Sequence, residues 1–366
     1  MRVRLGDYIK EYSVKNKNNE DIPVYSVSNS LGFCKDYFGK EVASKNKTTY
    51  KIVPRGCFAY NPSRINVGSV DWQNEEERVI VSPLYNVFSI SPLLDQQYLL
   101  YYLKSNVTLA RIKAVASGSV RDNLKLSMLY EFPIDLISLD QQYEVVSILN
   151  AIQKIIDLYQ KELSGLDELV RARFVEMFGD VQDAKKRGGQ QLKDICNTVA
   201  GGTPSTKHVE YYNGTIPWIS TVSLGPNYID GTTAKAFITQ EAVDSSSTKI
   251  IPSGSILFGT RVGVGKSSIN QVEMCTNQDI VAIIDLDVSK YNKLYIKYVL
   301  DTYQPYFDSI KKGATILGIS SDDLKNIYVP DASLYEQNRF EKFVKQIDKS
   351  RLLNNHLLFL LKSITF

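Results

Sequence analysis

Along residues 140–178 apolar side chains recur three and four positions apart, with no proline to interrupt them. One set is Val145, Ile152, Tyr159 and Leu166; the other is Leu149, Ile156, Leu163, Val170 and Met177. Held over more than four heptads, this spacing predicts a coiled-coil seam rather than the broader stripe of a surface helix. Gly165 is the one weak point, costing roughly 1 kcal/mol against alanine, and Gly179 is placed to end the helix. At 1.5 Å per residue the predicted helix is roughly 55–60 Å long. A second such helix, from Leu334 to about Lys362, opens with Phe340, Val344 and Ile347 in register. Arg351 and Asn354 then fall where apolar residues are expected, which predicts a stutter, with Leu353, Leu357, Leu360 and Ile364 carrying the seam onward. The simplest partner for each exposed seam is the other, and an antiparallel pair is expected because a whole domain separates them.

The segments before each helix have a different texture. Residues 1–138 and 189–333 alternate short β-branched and aromatic runs, such as Pro23–Val27, Val79–Val81 and Ile280–Ile284, with Gly/Pro/Asn/Ser clusters. Each carries a helix-like stretch near its end, Gln96–Ser105 and Tyr291–Thr302, so compact α+β domains are expected. The two halves also echo one another. Gly118, Leu129, Gln142, Val145, Leu149 and Ile152 return 195 positions later as Gly313, Leu324, Gln337, Phe340, Val344 and Ile347. Upstream, Ile22-Pro23-Val24-Tyr25-Ser26 returns as Ile216-Pro217-Trp218-Ile219-Ser220 with a slightly drifting offset. A period this long means duplicated domains rather than a solenoid, whose repeats run to roughly 20–50 residues. A covalent pseudo-dimer suits a partner with two-fold symmetry, and duplex DNA is the obvious one. The expected organisation is a domain over 1–138, a helix over 139–181, a polar linker over 182–188, a second domain over 189–333 and a helix over 334–366, pseudo-two-fold overall.

Composition adds modest constraints. A hydrophobic fraction of 43% and a charged fraction of 23% are those of an ordinary globular protein. Neither a signal peptide nor a membrane span is expected, since Leu357–Leu361 is stopped by Lys362. Four scattered cysteines with no Cys-x-x-Cys read as reduced thiols, which points to the cytoplasm. The net charge of +3 neither demands nor excludes nucleic acid. Lysines cluster at Lys35, Lys40, Lys45, Lys47 and Lys51, at Lys185-Lys186-Arg187 and at Lys311-Lys312; only a concave arrangement would make them a phosphate track.

The catalytic inventory is nearly empty. The two histidines, His208 and His356, sit near no second metal ligand or nucleophile elbow, and His356 reads as structural. Gly259–Ser267 imitates a phosphate-binding loop, but five residues rather than four separate Gly259 from Gly265, so the backbone amides cannot wrap a phosphate in the usual way. Asn61-Pro62-Ser63-Arg64 lacks the second proline and the aromatic of an amino-methyltransferase loop, and no Gly-x-Gly cofactor loop opens a dinucleotide fold. The acidic run Glu75-Glu76-Glu77 lacks the paired carboxylate-x-lysine of a nuclease. A binding protein is expected.

Several motifs resemble those of one family. Gly201-Gly202-Thr203-Pro204-Ser205-Thr206-Lys207, followed by Glu210-Tyr211-Tyr212, Gly214 and Ile216–Ile219, is similar to the opening of a target-recognition domain in specificity (S) subunits of type I restriction-modification systems. Tyr60–Ser69 and Arg261–Lys266 resemble recurrent loops of these domains, and Leu139-Asp140-Gln141-Gln142 and Leu334-Tyr335-Glu336-Gln337 resemble the family's helix entry. The resemblance covers essentially the whole chain and implies a non-catalytic subunit. It implies that each recognition domain binds one half of a bipartite DNA target, while the two helices set the gap and dock two methyltransferase (M) subunits. Restriction (R) subunits would join for ATP-dependent translocation and cleavage, S-adenosylmethionine belonging to M and ATP and Mg to R, with no cofactor in this chain. A recognition subunit of a type IIB/IIG-like enzyme is the alternative. The first domain has Lys15–Glu20 where the Gly-Gly-Thr-Pro-Ser opening is expected, so an asymmetric target is implied. Asn pairs with adenine, Arg with guanine, and hydroxyls grip phosphates. The candidate DNA contacts are therefore Asn61, Ser63, Arg64, Asn66, Ser69, Thr203, Ser205, Thr206, Lys207, Arg261 and Lys266. Tight-turn geometry competes for Asn61, Gly263 and Gly265, and core packing for Trp218. Coiled-coil or partner-docking residues are Val145, Leu149, Ile152, Ile156, Tyr159, Leu163, Leu166, Val170, Phe340, Val344 and Ile347.

Overall fold

The computed structural model describes residues 1–35, 46–116, 123–313 and 315–365; Lys40, Lys45 and Gly118 lie outside the described residues. The chain divides into two compact units, residues 1–161 with 355–366, and residues 162–354. Both long helices, Leu139–Phe178 and Leu334–Thr365, contribute to each unit.

In the first unit the central sheet is antiparallel, in the order Ile9–Glu11, Asn86–Ile90, Phe58–Tyr60, Val70–Trp72, with Phe58 opposite Phe88 and Tyr60 opposite Val70. Alternation sets Phe58, Tyr60, Val70 and Phe88 on the face that packs against the helices; Phe58 and Phe88 stack at 5.1 Å. The helix Gln96–Lys104 starts where Asp95 accepts the Tyr98 N–H at 2.8 Å, and it buries Leu99, Leu100 and Leu103 at helical spacing. The strand Pro133–Asp135 returns to pair with Arg2–Arg4 before the long helix begins.

The second unit repeats this plan with a larger sheet, in the order Asn197–Ala200, Ile280–Ile284, Ile256–Gly259, Ser267–Asn270, Tyr228–Ile229, and adds a three-stranded sheet around Ile216–Ile219. Gln190–Gln191 pairs with Tyr328–Val329 as Arg2–Arg4 does with its partner. The helix Lys293–Thr302 is capped by Asn292, whose side chain accepts the Leu294 and Tyr295 N–H groups.

The central helix ends as its sequence requires: Gly179 adopts φ +71° and its N–H bonds the Val175 carbonyl at 2.7 Å. Its seam is buried or half-buried from Gln142 through Val145, Leu149, Ile152, Ile156, Tyr159, Leu163 and Leu166 to Val170. The last two turns depart from the heptad. Phe174 and Phe178, four apart, are buried while Met177 is half-buried, because here the helix enters the core of the second unit. The two phenyl rings meet Tyr295 at 5.8 and 4.7 Å and Phe340 at 5.5 and 5.6 Å. Further from these rings Asp167 pairs with Arg351, so within this unit the helices run antiparallel.

The expected stutter in the distal helix is absent. The seam passes in unbroken register from Phe340, Val344 and Ile347 through Arg351 and Asn354 to Leu358 and Leu361, while Leu353 and Leu360 are exposed and Leu357 is only half-buried. The Ile364 side chain lies outside the described residues. Arg351 holds a seam position because its long stem packs apolar while its guanidinium reaches Asp167 and Asp348. His356 is exposed, contrary to the structural role expected of it.

The expected linker over 182–188 is folded. Val181–Asp183 and Lys185–Arg187 form two short 3-10 turns that bury Val181 and Ala184, and the Arg187 guanidinium donates to the carbonyls of Phe178 and Asp180 at the helix end. No helix among the described residues is long and apolar enough to cross a membrane.

Candidate nucleic-acid interface

The two loops singled out in the sequence occupy the same place in their units. Asn61–Ser69 joins the antiparallel strands Phe58–Tyr60 and Val70–Trp72; Thr260–Lys266 joins Ile256–Gly259 and Ser267–Asn270. Arg64 and Arg261 lie 197 positions apart, the separation that also relates the helix caps Asp95 and Asn292. Each arginine stands at the turn of an equivalent hairpin with its side chain exposed.

In the first loop Asn61 is committed to the turn. Its Oδ1 accepts the Ser63 N–H at 3.1 Å and the Ser63 hydroxyl at 2.9 Å, an Asx turn followed by a 3-10 turn over Ile65–Val67 that Gly68 ends at φ +87°. Ser69, expected to touch DNA, is 3% exposed and presents nothing outward; its N–H and carbonyl close the loop on Arg64 and Asn61. Asn66 is half-buried. Arg64 and Ser63 are the exposed members.

In the second loop the glycine-rich turn folds on itself: the Gly265 N–H goes to the Gly259 carbonyl at 3.0 Å and the Lys266 N–H to the Gly263 carbonyl at 3.1 Å. These amides are engaged within the turn, not gathered around a vacant anion site, in accord with the spacing that argued against a phosphate loop. Val264 is buried, and Arg261 and Lys266 point outward on either side of it.

Neighbouring segments enlarge this surface. Gly201 and Gly202 lie so close to Asn277 and Thr248 that a Cβ at either would fall at 2.1–2.4 Å from backbone atoms, so both must be glycine. The Trp218 indole donates to the Gly202 carbonyl at 3.0 Å and the Tyr212 hydroxyl to the Pro204 carbonyl at 2.7 Å, which fixes the loop and assigns Trp218 to the core. Thr203, Ser205, Thr206 and Lys207 are thereby held exposed, and the Thr203 hydroxyl donates to Gln278. Next to Gln278, Asp279 lies 3.7 Å from Arg261 Nε. The segment 277–280 therefore links the Gly201–Lys207 and Arg261–Lys266 loops into one surface. On its other flank Ile319 donates to the Thr260 carbonyl at 2.8 Å, and Arg261, Lys312, Ile316 and Gly318 line an open cleft of about 440 Å³.

Gln278, Asp279 and Ile316 did not stand out in the sequence, because strand pairing brings the first two to the arginine and the bond from the Ile319 N–H to the Thr260 carbonyl brings the third. The Lys185-Lys186-Arg187 run serves the fold: Lys186 pairs with Asp183, Lys185 lies over the Tyr328 ring at 5.4 Å and Arg187 caps the central helix. Burial pushes the thiols of Cys57, Cys196 and Cys275 up, Cys196 to about 12, so none is a thiolate nucleophile. Among the described residues no group of His, Cys, Asp and Glu could hold a metal ion.

Comparison with known proteins agrees with this geometry. The family model described as the type I restriction modification DNA specificity domain matches residues 4–168 and again 189–362. The chain is 34% identical over 162 residues to the type I restriction enzyme MjaIX specificity subunit of Methanocaldococcus jannaschii, covering 43% of this chain and 37% of that one. It is 30% identical over 233 residues to the EcoR124I/EcoR124II specificity subunit of Escherichia coli, covering 60% and 54%. The matched regions thus span about half or less of these relatives' length. In fold, the chain superposes over its whole length on 95% of a chain from a structure concerned with complex assembly and conformational transition of the type I R-M system, with a TM-score of 0.63 at 15% identity. With both halves matched in tandem, the chain belongs to the type I restriction modification DNA specificity domain family.

Proposed function

We infer that this chain is the specificity subunit of a type I restriction-modification assembly and that each half reads one part of a bipartite, asymmetric DNA target. The observation that carries this reading is the duplicated hairpin, which presents Arg64 in one half and Arg261 in the other. The loops around the two arginines differ, Asn-Pro-Ser against Gly-Thr with Gly-Val-Gly, so the two half-sites differ. Ser205, Thr206, Lys207 and Lys266 supply the exposed hydroxyls and ammonium groups that phosphate positioning needs, whereas the Ser63 and Thr203 hydroxyls donate to Asn61 and Gln278.

The long helices set the gap between half-sites and dock the methyltransferase subunits. Exposed apolar residues on them, Ile148, Ile155 and Leu158 on the first and Leu352, Leu353 and Phe359 on the second, are available for that contact. Methyl transfer, with S-adenosylmethionine, belongs to the methyltransferase subunits; ATP- and Mg-dependent translocation and cleavage belong to restriction subunits; the assembly works in the cytoplasm.

Replacing residues 189–333 with the corresponding domain of a relative tests this. Long-read mapping of methylated host DNA is expected to show one half-motif changed and the other retained. Change in both halves, or in neither, would overturn the reading.

A further inference from the structure

We propose that Gln142 and Gln337 are positioning residues, each locking its recognition domain to the first turn of a long helix and so fixing where that half-site is presented. Both side chains are completely buried. Gln142 Oε1 accepts the Asp95 N–H at 2.8 Å, and its Nε2 donates to the carbonyls of Leu93 and Ile137, both at 2.9 Å. Gln337 Oε1 accepts the Asn292 N–H at 2.7 Å, and its Nε2 donates to the carbonyls of Lys290 at 3.0 Å and Ala332 at 2.9 Å. The same three bonds, to equivalent atoms, are thus made in each half.

The partners give the network its meaning. Asp95 and Asn292 are the N-caps of the helices Gln96–Lys104 and Lys293–Thr302, which pack on the sheets that carry the arginine hairpins. Ile137 and Ala332 lie just before the long helices. One amide therefore ties three points: the cap of the domain's helix, the loop before that cap, and the entry to the long helix. One N–H and two carbonyls around each amide fix which way round it sits, and a side chain that lacked this pattern would leave all three without the partner that meets them here. Leucine or methionine would fill the space as well, so packing alone does not call for glutamine. What the amide adds is direction.

This assignment rests on the specificity-subunit reading. The test is methylation mapping in cells carrying the full chain with its methyltransferase partner, comparing wild type with Gln337→Met and Gln142→Met. A single bipartite motif with one gap is expected for the wild type. Each variant should keep both half-motif sequences but spread to gaps one base pair shorter or longer, with methylation at the original gap reduced about tenfold, the order of magnitude of the hydrogen bonds lost. A wild type without a bipartite motif overturns the underlying reading and the proposal with it. A bipartite wild type whose variants keep the single gap, with only a lower melting temperature, overturns the clamp alone. Hydrogen exchange on the wild-type complex needs no variant: the Asp95 and Asn292 amides, which face the glutamine oxygens, should exchange as slowly as the interior of the long helices. Exchange as fast as that of an exposed loop would overturn the proposal.

Discussion

At the scale of single residues, Arg64 and Arg261 are the positions on which recognition should turn. Both contribute backbone bonds to their turns while their side chains are exposed, that of Arg261 lying 3.7 Å from Asp279. Arg64→Ala is expected to weaken preference in one half-motif and Arg261→Ala in the other, each by about 1–3 kcal/mol if the lost contact is bidentate to a base. Melting temperatures should stay at the wild-type value; a collapse with intact sequence preference would make the residue structural. The exposure of these arginines was legible because a cation in a glycine- or asparagine-rich turn has little to pack against. Asn61 and Ser69 were misjudged for the opposite reason, since the same sequence pattern also encodes a turn that consumes its own polar groups. A second prediction concerns Glu336. It forms a capping box with Ser333, whose hydroxyl and N–H both donate to its carboxylate and hold it below the usual carboxylate range. A lowered value in the folded chain means stability that is present above the ordinary glutamate range and lost as pH falls through the folded value. The other long helix has Gln141 in the same box with Ser138, an amide that does not titrate. The Ser333 amide resonance should therefore shift in acid while that of Ser138 does not; parallel shifts would contradict the assignment.

At the scale of elements, the central helix was readable because its heptads are apolar from Val145 to Val170. The distal helix was misread at Arg351 and Asn354, where the local pattern says polar and the folded chain half-buries the first and buries the second. Asp167, which makes that burial tolerable, lies far away in sequence, and no window along the distal helix contains it. Asp348 ties the same node to the second unit by accepting the Asn227 amide at 2.8 Å. Ion pairs as exposed as this one, with Asp167 61% exposed, contribute little to stability. Arg351→Leu should keep the unfolding free energy within about 1 kcal/mol of wild type or raise it, because the leucine avoids the desolvation of the guanidinium. Arg351→Glu, which sets a third carboxylate beside Asp167 and Asp348, should be less stable than the leucine variant, by about 1 kcal/mol. Urea unfolding of both variants separates these outcomes; a loss of several kcal/mol in the leucine variant would mean that the ion pair is itself a main source of stability.

For the whole molecule, the inferred function makes the helices a ruler. The central helix has 40 residues, about 60 Å at 1.5 Å per residue. One heptad added to both helices keeps the seams in register and lengthens each by about 10 Å. The gap in the methylated motif should then grow by up to roughly three base pairs at ~3.4 Å each, with both half-motifs unchanged. An unchanged gap would mean that the methyltransferase subunits, not the helices, space the two domains. The domain-scale repeat, the order of domains and helices and the arginine hairpins could all be read in advance, because they are written in local pattern and in duplication. Where one compact unit ends could not. The last turns of the central helix are part of the second unit's core, with Phe174 and Phe178 against Tyr295, and Tyr303 donating to the Val181 carbonyl. Those contacts act on the protein's evolution. A recombination event that imports a foreign reading domain after residue 188 leaves this aromatic plug behind, so the newcomer must bring tyrosines that fit it. Exchange of specificities between lineages is then filtered by the fit of a socket inside the core, and descendants can inherit a new target only together with an old joint.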